Sequence, residues 1–221
     1  DYAQKTYGKK VKFLNFKECA ERLGKNLLAG EPLRNKEGKD NGVRIVDVNQ
    51  DGFLDVVIGA TFDFKRKGKT RVWQAKERKW ADIEFDGKLV VRDVGENIFE
   101  YESKFGFLKP DGPVTLLEPF TVSEFRDGKW QTVVNVFGGD WIPIAGGWEY
   151  FLRDIDNDGA SEVLYCNSTK TTVAKWLPKI KNWGTPPYPL PKGVTLVDKD
   201  GRDNGVRFID LNGDGFDDIV F

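Results

Sequence analysis

Asp47-Val48-Asn49-Gln50-Asp51-Gly52-Phe53-Leu54-Asp55 decides the reading of this chain, because the pattern returns twice. Asp154-Ile155-Asp156-Asn157-Asp158-Gly159-Ala160-Ser161-Glu162 is the second copy and Asp210-Leu211-Asn212-Gly213-Asp214-Gly215-Phe216-Asp217-Asp218 the third. All three follow D-x-[DN]-x-D-G-x-x-[DE], with oxygen-bearing side chains at positions 1, 3, 5 and 9. Calcium takes about six to eight oxygens, and alternate residues of a tight loop can aim several carboxylates at one centre. The Gly at position 6 permits the sharp reversal, since it tolerates positive φ. Left without a cation, converging carboxylates repel by roughly 4 kcal/mol per pair at 4 Å and an effective dielectric near 20.

The flanks decide which kind of calcium loop this is. An EF-hand places Glu at position 12 between two helices. Position 12 here is Ile58, Tyr165 and Phe221, none of which ligates through its side chain. Val43-Arg44-Ile45-Val46, Val56-Val57-Ile58, Val163-Leu164-Tyr165, Val206-Arg207-Phe208-Ile209 and Ile219-Val220-Phe221 are short runs of β-branched and aromatic residues, which predict strands. Each loop is therefore expected to close a β-hairpin.

Strand, D-x-D-x-D-G-x-x-D, strand resembles the FG-GAP/VCBS repeat of integrin-type β-propellers. Asp40-Asn41-Gly42-Val43-Arg44 and Asp203-Asn204-Gly205-Val206-Arg207 resemble the repeat region of large secreted proteins of planctomycetes and their relatives, commonly labelled membrane-bound dehydrogenases. The resemblance covers roughly residues 30–221. It implies an all-β propeller and about three calcium ions. Side-chain ligands would be Asp47, Asn49, Asp51 and Asp55; Asp154, Asp156, Asp158 and Glu162; and Asp210, Asn212, Asp214 and Asp218. The Phe53, Ala160 and Phe216 carbonyls would join them, and the chemistry of the loops leads to the same set. The second loop has four acidic ligands where the others have Asn at position 3, so charge count predicts that it binds at least as tightly.

The repeat extends beyond the loops. Residues 37–58 and 200–221 align without a gap and share 13 of 22 residues. The loops begin 107 and 56 residues apart, so a unit of about 53 residues leaves one unit hidden in the first interval. Ser103–Leu108 and Val114–Leu117 fit its first two strands, joined by the Lys109-Pro110-Asp111-Gly112 turn in place of a calcium loop. Phe105 and Phe107 are expected in the layer that Ile45 or Phe208 occupies elsewhere. Trp73 and Trp80, like Trp176 and Trp183, stand seven apart and predict an outer aromatic hairpin, with Phe125 and Trp130 as the counterpart. The expected organisation is an amino-terminal segment over 1–36, which completes a blade if it supplies strands, followed by propeller blades over 37–221. These blades run approximately 43–85, 103–136, 148–183 and 205–221, the last incomplete. Within 1–36, Val11–Phe16 alternates like a strand and Glu18–Leu28 fits a short helix with Leu23, Leu27 and Leu28 on one face.

Composition narrows the function. The net charge of −1 recruits neither nucleic acid nor an acidic membrane, and no run of 18 apolar residues predicts membrane insertion. Lys65–Arg71 is the densest basic patch and reads as a solvated hairpin tip. Cys19 and Cys166 stay open as a pair or as two buried thiols. The chain opens on Asp1 without a Met, so its start is expected not to be the gene's start. The absence of His removes the commonest general base and most zinc sites, and no nucleotide loop is present. Phe137–Trp148 sets glycines beside tryptophans: it is either a linker with buried Trp or a stacking platform for a sugar or peptide, with Trp141 and Trp148 as candidate ligand-binding residues. The expected function is a non-catalytic, calcium-binding scaffold or interaction module of a larger exported protein, extracellular or periplasmic. A carbohydrate-binding lectin is the first alternative and the propeller part of a secreted dehydrogenase the second. Expected partners are calcium and either carbohydrate or another protein or domain.

Overall fold

The structure, a computed structural model, describes residues 2–8, 13–61, 65–91, 101–118, 121–135, 149–166, 169–180, 182–185, 190–200 and 202–221. Two short helices precede the sheets: α1 (Tyr2–Tyr7) and α2 (Phe16–Arg22), which runs into a π-helical turn over Leu23–Leu27. A strand through residue 16 is not formed, since 13–15 are irregular and Phe16 opens α2. The reason is a capping box: Asn15 Oδ1 accepts from the Glu18 amide and Glu18 Oε2 from the Asn15 amide, which satisfies two orphan donors of a helix start. Leu23 stays exposed, while Leu28 and part of Leu27 reach the core.

The rest of the described fold is antiparallel β. Sheet one is β1 (Val43–Val46), β2 (Asp55–Ile58), β3 (Lys69–Gln74) and β4 (Lys79–Glu84), in that order. A two-stranded ribbon of β5 (Val90–Val91) and β6 (Tyr101–Glu102) leads to sheet two. Sheet two is β7 (Lys104–Gly106), β8 (Thr115–Leu117), β9 (Thr121–Arg126) and β10 (Lys129–Asn135). Sheet three is β11 (Glu149–Arg153), β12 (Glu162–Cys166), β13 (Thr171–Leu177) and β14 (Asn182–Gly184), and a last hairpin pairs β15 (Arg207–Ile209) with β16 (Asp218–Val220). Each four-stranded sheet is therefore a meander in chain order. Among the described residues, no strand from 2–36 pairs with the last hairpin.

The second strand of each sheet is buried on both faces, and its successive side chains enter different cores. Val57 packs with Leu116 and Phe125 of sheet two, while Val56 and Ile58 pack with Leu28. Leu117 meets Tyr150, Val163 and Trp176 of sheet three, and Leu164 meets Val206 and Phe208 of the last hairpin. The sheets thus stack as successive layers, each such side chain worth about 1.5–3 kcal/mol when fully buried. The aromatic hairpins are cross-strand pairs: Trp73–Trp80, Phe125–Trp130 and Trp176–Trp183, with ring centroids 5.1, 5.3 and 5.2 Å apart.

Residues 104–117 form the hairpin of the unit without an acidic D-x-[DN]-x-D-G-x-x-[DE] loop, with Phe105 opposite Leu116. Phe105 packs into the core between sheets one and two, but Phe107 lies past the strand end and is exposed. Ile45 is exposed as well, whereas its counterpart Phe208 is packed. Phe208 faces a full preceding sheet. Among the described residues before β1, it is the helical segment whose Leu27 and Leu28 cover Val43, Val56 and Ile58. In the turn, positive φ falls on Asp111 rather than on Gly112.

The basic patch is only partly a solvated tip. Arg66 is half-buried and holds the Gly59 and Asn41 carbonyls and Glu31, and Arg71 donates to the Asn26 and Leu27 carbonyls that end the helical segment. Gly68 has the Phe85 carbonyl so close that an added Cβ would lie 2.1 Å from it. The two cysteines do not form a disulfide: Cys19 is exposed and Cys166 buried. No helix among the described residues is long and apolar enough to cross a membrane.

Arg153 fastens the last hairpin to sheet three. It makes a two-pronged ion pair with Asp217, one arm at 2.8 Å, and donates to the Phe208 carbonyl at 3.0 Å. Asp217→Asn is expected to cost about 1 kcal/mol at neutral pH, as for a partly exposed ion pair of good geometry. The Arg153 hydrogen bonds hold the Asp217 carboxyl below its ordinary range. Its contribution is thus present above the unfolded value near 4 and lost as pH falls through the lower folded value. Urea denaturation should show the gap between parent and variant at pH 7 and its closure towards about pH 2.

Candidate metal centre

The three D-x-[DN]-x-D-G-x-x-[DE] loops join β1 to β2, β11 to β12 and β15 to β16, and they share one internal hydrogen-bond plan. The position-1 carboxylate accepts the amides of positions 5 and 6: Asp47 from Asp51 and Gly52, Asp154 from Asp158 and Gly159, Asp210 from Asp214 and Gly215. The position-5 carboxylate accepts the amide of position 7, from Phe53, Ala160 and Phe216. Position 6 has positive φ in all three loops, at 86°, 85° and 90° for Gly52, Gly159 and Gly215. Position 4 is left-handed too, in Gln50, Asn157 and Gly213, a strain that only the third loop relieves with Gly.

Position 9 is the anchor. Asp55 and Glu162 are fully buried, and each accepts the amide of position 2: Val48 to Asp55 at 3.1 Å, Ile155 to Glu162 at 2.9 Å. Asp218 takes the Leu211 amide at 3.0 Å in the same way. The other oxygen of Asp55 accepts the Trp73 amide at 2.8 Å, tying the loop to β3. Burial pushes the Asp55 carboxyl up, the Trp73 and Val48 amides pull it down, and Asp51 and Asp47 push it up again, with a net rise. A buried anion with like charges beside it is the kind of site that a cation relieves. In the unit without a loop, Thr115 replaces the position-9 acid, and the Phe125 amide, counterpart of Trp73, bonds the Val114 carbonyl instead.

Asp154, Asp156 and Glu162 each bring a carboxylate oxygen within 4.8 Å of the others, the one such acidic group among the described residues. They fit a hard divalent ion, with oxygen donors only and one of them, Glu162, fully buried. Asn at position 3 leaves the first and third loops one carboxylate short. There Asn49 and Asn212 donate their amide nitrogens to Asp51 and Asp214, each at 3.0 Å. In the second loop that donor is a lysine. Lys175 of β13 lies 2.6 Å from Asp158, 2.9 Å from Asp156 and 3.1 Å from Glu162. Burial alone would lower its ammonium, but the hydrogen bonds it donates to Asp156 and Asp158, with the Glu162 carboxylate beside it, outweigh that and hold it above its ordinary value. Charge counting over nine-residue loops passes over Lys175. Aligning Trp176 with Trp73, which sets Lys175 on Val72, is the signal that finds it.

The loops stand in a row. Gln50 Nε2 of the first donates to the Gly112 carbonyl of the Lys109–Gly112 turn at 2.7 Å. Pro110 of that turn packs against Gly159, where an added Cβ would lie 3.3 Å away, and Asn157 reaches Gly215, where it would lie 3.0 Å away. Each position-4 side chain thus touches the loop or turn of the next unit. Trp141 and Trp148 lie outside the described residues.

Residues 154–221 match the FG-GAP-like repeat family and residues 41–73 the FG-GAP repeat family, so FG-GAP repeats are present at both ends of the β region. No curated protein matches the chain. Among solved structures it is similar to the Photorhabdus luminescens Tc holotoxin pore, at 15% identity and a TM-score of 0.47 over 84% of this chain and 8% of that one. An Agrocybe aegerita lectin, solved for its recognition of non-reducing terminal N-acetylglucosamine, is similar at 17% identity and a TM-score of 0.45, over 81% of this chain and 46% of that one. The chain therefore spans less than half of either.

Positions 5 and 9 should respond differently to mutation. Asp55→Ala leaves the Val48 and Trp73 amides without their acceptor and is expected to cost about 2–4 kcal/mol, in chelator as in calcium. Asp51→Ala removes an exposed carboxylate and should cost under about 1 kcal/mol in chelator, with a larger loss in calcium. Paired denaturant titrations in the two buffers measure both.

Proposed function

We propose that the chain is a non-catalytic, calcium-stabilised scaffold built of FG-GAP units that act as propeller blades. The units would span approximately 43–85, 103–136, 148–183 and 205–221. The first and third loops would hold calcium through Asp47, Asn49, Asp51 and Asp55 and through Asp210, Asn212, Asp214 and Asp218. The second loop offers the corresponding set Asp154, Asp156, Asp158 and Glu162, shared with the Lys175 ammonium, and the Phe53, Ala160 and Phe216 carbonyls would complete the three sets. The single observation that carries this is the row of loop contacts through Gln50, the 109–112 turn and Asn157. A cation that stiffens one loop would also set the angle at which the next sheet packs. Magnesium suits the loops less well, because it demands near-octahedral geometry and keeps its waters. Sites of this kind work where calcium is plentiful, which favours an extracellular or periplasmic setting for the larger protein and a role in presenting its surface to another protein or domain.

One observation favours carbohydrate as the partner. A cleft of about 440 Å³ between sheets one and two sets Trp130 beside Asp86, Glu118 and Thr121, an aromatic ring among hydrogen-bonding groups. Saturable quenching of tryptophan fluorescence by a sugar from a glycan array would support that partner, and a blank array would remove it.

Excess chelator is expected to lower the melting temperature by several degrees, and calcium to restore it better than magnesium. A ligand held only by the native state adds about 2.7 kcal/mol per site at a hundredfold excess over its dissociation constant. An unchanged melting curve would contradict the proposal.

A further inference from the structure

We propose that Lys175 is a tethered counter-ion that takes the place of the divalent cation in the second loop, so that this loop closes without metal while the first and third depend on it. This rests on the calcium reading of the loops. The ammonium is a compact charge with three protons, and it faces three different carboxylates at 2.6, 2.9 and 3.1 Å. The acid beneath it, Glu162, is fully buried: its Oε2 takes the Ile155 amide, while its Oε1 takes no hydrogen bond and faces the ammonium. A buried anion needs either a cation or a second set of donors, and Lys175 is the cation within reach.

Comparison between units sharpens the point. Val163 pairs with Ala174 in β12–β13 and Val56 with Arg71 in β2–β3, so Lys175 follows the partner of the residue after Glu162 just as Val72 follows the partner of the residue after Asp55. Lys175 therefore replaces an apolar residue at the same place in the first unit. The exchange is matched in the loop, where Asp156 replaces Asn49 and Asn212. One negative and one positive charge are added together, so the second site, with four acids and Lys175, carries the same net charge as the first and third, with three acids each. A metal entering the second loop would have to drive the ammonium out of contact with three carboxylates, and its affinity falls accordingly. The extra carboxylate thus weakens calcium binding in this loop because it arrives with its own cation.

The test uses Lys175→Val, which copies Val72, in the full chain. Calorimetric titration should find two tight calcium ions in the parent and three in the variant, with the affinity of the second loop raised about tenfold or more by removal of the competing charge. A background carrying Asp51→Ala and Asp214→Ala isolates that loop. Where this background does not fold, the ion count in the otherwise unaltered chain decides. In chelator, Lys175→Val should lower the melting temperature, and calcium should recover it. Three equivalent ions in the parent, or no gain of affinity in the variant, would overturn the proposal. Absence of calcium binding by the parent and the variant alike would instead sink the calcium reading. Lys175 would then stand as the counter-ion if its loss lowers the melting temperature in chelator, and fall if it does not.

Discussion

The structure depends on a carboxylate at the base of each loop, fully buried in the first two and half-buried in the third, and on finding something to face it. Position 9 is the first residue of the returning strand, so its side chain lies between layers, where an unpaired anion costs several kcal/mol. Asp55 meets that cost with two backbone amides, one from its own loop and one from β3. Glu162 uses one amide and the Lys175 ammonium. The same amide of position 2 is engaged in all three loops, so each loop is tied to the root of its strand whatever its tip does. Sheet two shows the other solution, with Thr115 at the root and a short turn whose one acid, Asp111, is exposed.

From that anchor the layering follows. A strand that begins with a buried acid continues with residues buried on alternate faces, as Val56 and Val57 or Val163 and Leu164 are. Each sheet therefore needs a neighbour on both sides. The two ends of the described stack differ in how that need is met. Leu27 and Leu28, held by Arg71, cover part of the first sheet, whereas Ile209, Leu211 and Val220 of the last hairpin remain exposed. These three are the counterparts of Val46, Val48 and Val57, which in sheet one pack against sheet two.

Much of this was legible in the sequence because the loops repeat. Spacing alone separated them from EF-hands, located the strands around them and found the hairpin over 104–117 that has no acidic loop. The matched Trp spacings became cross-strand pairs for the same reason. Single-residue roles were less legible. Arg66 sits in a run of cations that looks solvated, and only the fold brings the Gly59 and Asn41 carbonyls to its guanidinium. The alternation over Val11–Phe16 gave way to the Asn15–Glu18 capping box, a local signal that outweighs a short alternating pattern. Lys175 lies 13 residues beyond Glu162, in another strand, so a motif read along the chain does not contain it.

Hydrogen exchange at the amides of Val48, Ile155 and Leu211 tests the central claim most directly, because these are the donors to the three position-9 carboxylates. All three should exchange much more slowly than the other loop amides in chelator, and calcium should slow Val48 and Leu211 further. Exchange of these amides at the rate of open loop backbone, with and without calcium, would contradict the account.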